Sequence, residues 1–159
     1  MSKFYENIKF DNDEELEYAS GFVNKGLIRS ACQHFKNDLM GTRAYNFDLL
    51  ISFDRDECIQ NDCDAYLTKD ADGYILKVNP ELYYEDFYRS LAHEFVHIKQ
   101  DLRGEHYFDI YRGVVNRFPD YDTLEGYEIE AYEKEDSLVQ SWMEDITHFN
   151  VKKKMLENI

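Results

Sequence analysis

Five consecutive residues, His93-Glu94-Phe95-Val96-His97, carry the most specific chemistry in this chain. On a helix, side chains four apart lie on one face about one turn along, so the two imidazoles can aim at one point. Zinc accepts imidazole nitrogen at roughly 2.0–2.1 Å, and a catalytic site with three protein donors keeps a fourth position for water. Glu94 lies about 100° round the helix from His93. That direction is poor for a third donor but good for taking a proton from a metal-bound water and passing it to a leaving amine. The pattern therefore points to zinc-dependent peptide-bond hydrolysis, with His93 and His97 as metal donors and Glu94 as general base. Phe95 and Ile98 supply the apolar stripe of the same helix, which leaves the histidines on an adjacent face.

A third donor is expected downstream. The segment Glu128-Ile129-Glu130-Ala131 offers a carboxylate, and Ala131 is small enough to let two helices approach closely. Glu128 and Glu130 point in different directions on a helix, so only one of them can serve.

On His93, Glu94, His97 and residues 128–131 the chain resembles the gluzincin clan, thermolysin-like HExxH proteins whose third ligand is a downstream Glu. It is most similar to the minimal phage and bacterial members that carry an E-x-E-A segment. The resemblance spans about residues 74–136. Related families carry the ligand in E-x-x-A followed by Asp or Asn. Alignment on Ala131 selects Glu128, and Tyr132 stands where the family has Asp or Asn. The resemblance also implies that the strand before the active-site helix, residues 74–78, is an edge that pairs with an extended substrate. A metzincin would have Gly at position 100 and His at 103, where Gln100 and Arg103 stand. A three-histidine site of the SprT-like kind would draw on His106, but the acidic balance and the lack of a Cys-rich ribbon count against it. Asp101 and Asp136 are candidates for orienting a histidine. Tyr127, Tyr132, His106 and Arg112 are candidates for stabilising an oxyanion.

The elements that must position these groups are legible from periodicity. Phe87, Leu91, Phe95, Ile98 and Leu102 recur at helical spacing and Gly104 ends the run. Residues 13–39 read as helix broken near 24–26, with Leu16, Ala19, Phe22 and Val23 on one stripe and Ile28, Ala31, Cys32, Phe35 and Leu39 on another. Strands are expected at 47–53, 65–68 and 74–78, the last two as a hairpin across 69–73. Asn79 and Pro80 suit the start of a helical turn. Short strands are expected around 107–110 and 113–116. A last helix is expected over 124–148, with Ile129, Tyr132, Val139, Trp142, Met143 and Ile146 inward. The class is α+β: N-terminal helices, a small mostly antiparallel sheet, the HExxH helix, and a C-terminal helix carrying the third ligand. Residues 1–159 are expected to form one minimal zincin-like domain.

A net charge of −15 argues against a nucleic-acid footprint and against docking on anionic membranes. Apolar residues make up 43 %, enough for a packed core. No apolar leader or membrane-length run is present, and three cysteines without a CxxC pair suit a reducing compartment. The expectation is a cytoplasmic protein, in the host cytoplasm if phage-encoded, acting on a restricted protein or peptide substrate. A non-catalytic binding module on the same scaffold, recognising a host regulator, is the alternative. Cleavage profiles of wild type and Glu94→Gln separate the two, identical profiles favouring the binding module.

Overall fold

The computed structural model describes residues 4–41, 47–69, 73–105, 110–111 and 125–157. A 3₁₀ turn, Phe4–Asn7, leads into β1 (Ile8–Asp11), and a second 3₁₀ turn covers Asp13–Tyr18. Helix α1 (Lys25–Met40) follows, then β2 (Asp48–Phe53), α2 (Arg55–Gln60), β3 (Ala65–Lys69), β4 (Gly73–Val78), α3 (Tyr84–Leu102), β5 (Ile110–Tyr111) and α4 (Gly126–Glu157). The class is α+β, as expected.

The sheet order is β1-β2-β4-β3-β5. It is mixed rather than mostly antiparallel: β1 and β4 both run parallel to β2, whereas β3 is antiparallel to β4 and β5. Connection length explains the difference. Helix α1 carries the chain back between β1 and β2, and α2 with β3 intervenes between β2 and β4, so both β2 pairings can be parallel. The β3–β4 hairpin then places β3 outside β4. Strand β4 is thus interior, paired along its length on both sides, which corrects the expectation that residues 74–78 form a substrate-binding edge. Gly73 opens β4 because β2 passes so close that a Cβ there would stand 2.0 Å from the Asp48 carbonyl oxygen.

Local rules account for the helix ends. Asn24 caps α1, its side chain accepting from the Leu27 N–H at 2.9 Å. The expected helix from residue 13 begins instead as the 3₁₀ turn, and Phe22, placed on an apolar stripe, is 61 % exposed. Asn79 and Pro80 make a turn in which Asn79 accepts from the Glu81 N–H, and α3 begins four residues later. Helix α3 ends at Leu102, and Gly104 just beyond it turns the chain away with a φ of 70°, the left-handed conformation that glycine adopts without strain. The turn expected over 69–73 and the strands expected at 107–110 and 113–116 lie mostly outside the described residues.

Leu49, Ile51, Phe53, Ala65, Leu67, Tyr74, Leu76 and Val78 point from the sheet into one core shared with α1, α3 and α4. Phe87, Leu91, Phe95 and Ile98 are wholly buried there. Phe95 lies edge-on to both Phe4 and Phe35, with ring centroids 6.1 Å away in each case. Each such side chain gains about 1.5–3 kcal/mol on burial, more together than a helix cap of about 0.5–2 kcal/mol. Tyr83, at the α3 N-terminus, makes no side-chain cap bond. Packing therefore fixes the rotation of α3, and that rotation turns His93 and His97 toward α4. Among the described residues, no helix is long and apolar enough to cross a membrane.

Candidate metal centre

Residues 90–101 of α3 are buried on every side, although His93, Glu94, His97, Lys99, Gln100 and Asp101 are among them. A buried polar group without a partner costs about 1–3 kcal/mol, so such a concentration is sustained only where partners or function hold it.

His93 and His97 stand one turn apart with ring centroids 4.9 Å from each other. Glu128, in the first turn of α4, brings Oε1 to 3.3 Å from His93 Nε2 and 2.5 Å from His97 Nε2. One donor atom from each of the three residues lies within 4.8 Å of the other two, so the group could hold a metal ion. Tetrahedral zinc with bonds of about 2.0–2.1 Å would set its donors roughly 3.3 Å apart, so the His93–Glu128 spacing already suits it and the His97–Glu128 spacing would have to open. Zn²⁺, with its preference for nitrogen and carboxylate oxygen, fits this donor set.

The outward ring nitrogens are engaged. His93 Nδ1 lies 3.2 Å from Glu135 Oε2, and His97 Nδ1 lies 2.9 Å from Gln100 Oε1. Both Nε2 atoms are thereby directed at Glu128. Tyr132 packs its ring on His93 at 4.5 Å and Tyr127 packs on His97 at 5.8 Å.

Burial works against charge in this cluster, yet hydrogen bonds to Glu128 and Glu135 raise His93 to about 9. Burial likewise opposes ionisation of Glu128, but its bonds with the two histidines hold it at about 2. Without a metal the cluster is thus an ion pair of protonated His93 with ionised Glu128, and a bound metal ion would take the place of that proton.

Glu94 differs from its neighbours. Its carboxylate is wholly buried, and neither oxygen has a hydrogen-bond partner among the described residues. Burial raises its pKa well above the usual range, His93 opposing the rise and Glu128 adding to it. A carboxyl kept poised in this way can accept and return a proton.

Helix α4 places Glu128 with the histidines and Glu130 elsewhere. Glu130 accepts from Lys99 Nζ at 2.6 Å and Lys134 Nζ at 2.5 Å and is not a donor to the centre. The histidine-orienting carboxylate is Glu135, not Asp101 or Asp136. Asp101 accepts from the Tyr74 hydroxyl and pairs with Lys69 at 2.9 Å, while Asp136 pairs with Arg89 at 2.7 Å. Sequence reasoning missed Glu135, although its position seven residues beyond Glu128 puts both carboxylates on one face of α4. His106 and Arg112 lie outside the described residues.

Comparison with protein-family models, with curated proteins and with solved structures gives no match.

Proposed function

We propose that the protein is a zinc-dependent peptidase of the gluzincin type, with His93, His97 and Glu128 as metal ligands and Glu94 as general base. The observation that carries the reading is the buried Glu94 carboxylate, unpartnered among the described residues, beside three converging donors. A purely structural zinc site has no use for that carboxylate and would be more stable without it.

When bound, zinc supplies a Lewis acid that polarises a carbonyl and acidifies water. The remaining work falls to the chain. Glu135 and Gln100 hold the histidines with Nε2 inward. Glu128 supplies the negative charge that offsets the cation. Glu94 would take a proton from the water that attacks the scissile carbonyl and return it to the departing amine. The substrate class in keeping with this chemistry is a protein or peptide. Because β4 is interior, an extended substrate does not pair along residues 74–78.

The test compares wild type with Glu94→Gln on metal content and on proteome-wide cleavage. About one zinc per chain in both proteins, with new peptide termini generated only by wild type, is the expected result. Identical cleavage profiles would favour the binding-module alternative, and full activity in metal-free protein would overturn the metal mechanism.

A further inference from the structure

Gln100, one turn beyond His97 on α3, is 2 % exposed, and both polar atoms of its amide are engaged. Oε1 lies 2.9 Å from His97 Nδ1, while Nε2 lies 2.9 Å from the Tyr127 carbonyl oxygen and 2.8 Å from Glu130 Oε1. Both partners of Nε2 are oxygens with no hydrogen to give: one is a backbone carbonyl, the other a carboxylate paired with Lys99 and Lys134. Only the amide nitrogen can face them, since a flipped amide would set its oxygen against two others. Oε1 is thereby committed to His97. As an acceptor, it requires the proton of the neutral imidazole on Nδ1, which leaves the lone pair on Nε2, the nitrogen beside Glu128. The Tyr127 carbonyl belongs to the residue immediately before Glu128, so the amide that orients His97 also anchors the backbone from which the third donor projects.

We propose that Gln100 is a positioning residue, backed by Glu130, that locks His97 in its metal-binding tautomer and fixes the His97–Glu128 spacing, so that this relay sets the affinity of the centre. The proposal rests on the metal-site reading above. Nothing in the HExxH pattern asks for it, because Gln100 lies outside the motif and Glu130 is on another helix.

The experiment titrates zinc into the metal-free full chain against a chromophoric chelator and records the visible spectrum of the cobalt-substituted protein. Gln100→Met keeps the length of the side chain and removes the amide. It is expected to weaken zinc binding about 10–100-fold, the range for lost partners of metal-bound histidines, and to alter the cobalt ligand-field bands. Glu130→Leu removes the acceptor behind Gln100 and is expected to weaken binding in the same direction. Glu130→Gln keeps an acceptor and is expected to retain most of the affinity. A merely structural role would lower the unfolding midpoint of the metal-free protein and leave zinc affinity and the cobalt bands of the folded fraction unchanged.

Wild-type affinity in folded Gln100→Met overturns the proposal, as does a loss in Glu130→Gln equal to that in Glu130→Leu. If Gln100→Met does not fold, the Glu130 pair decides, since Glu130 sits at the rim with its side chain 27 % exposed. Failure of wild type itself to bind zinc would overturn the metal reading instead, and the two failures are thereby distinct.

Discussion

Replacing Glu94 by Met should make the metal-free protein more stable while abolishing any hydrolysis. The Glu94 carboxylate is wholly buried with neither oxygen hydrogen-bonded among the described residues. Leaving such a group unsatisfied costs about 1–3 kcal/mol. Met has nearly the same length and no polar group to satisfy, so the substitution removes that cost with little change in volume. For a chain of this size each kcal/mol moves the midpoint by about 2–4 °C, so the expected rise in Tm is about 2–12 °C. The gain should depend on pH. Burial raises the folded-state pKa of Glu94 above its ordinary value of 4.5. The stability contributed by the protonated acid is therefore fully present below that ordinary value and is lost as pH rises through the folded one. The advantage of Met should be smallest below about pH 4.5 and grow toward neutrality. The assay is thermal unfolding by circular dichroism in chelator at pH 4.5 and pH 8. A Glu94→Met protein less stable than wild type at pH 8 would refute the reasoning, because it would mean that the carboxylate is stabilised where it sits.

Glu135→Leu removes the acceptor on His93 Nδ1 and should weaken zinc binding about 10–100-fold in the same competition titration, whereas Glu135→Gln should lose less. Gly73→Ala forces a Cβ to 2.0 Å from the Asp48 carbonyl oxygen. It should separate β4 from β2 at that end and lower the urea midpoint, an outcome read from equilibrium denaturation. Loading wild type with zinc at 100 times its Kd should stabilise the fold by about 2.7 kcal/mol, and chelator should reverse the shift. His93→Ala should abolish that response.

Much of the site was legible because its chemistry is local. The spacing of His93, Glu94 and His97 within one turn is a property of any helix, and the apolar stripe from Phe87 to Leu102 specified that helix and its end just before Gly104. Glu128 emerged from sequence as one of two alternatives, separated by family resemblance rather than by physics. Tertiary packing separates them directly: Glu128 meets the histidines, and Glu130 meets Lys99, Lys134 and Gln100. Strand β1 went unread because Ile8 and Phe10 alternate over only four residues. Helix α2 went unread because its six residues, Arg55–Gln60, contain little apolar periodicity beyond Cys58 and Ile59.

The sequence by itself determined the HExxH helix, its phase and the α+β class, because each follows from contacts within a few residues. Only the tertiary structure decided the rest: which carboxylate reaches the histidines, that Glu135 and Gln100 hold them, that β4 is interior, and that Glu94 is buried without a partner among the described residues. Those outcomes depend on how α4 and β3 pack against α3. That packing is the sum of many non-local apolar contacts, and no short stretch of sequence encodes it.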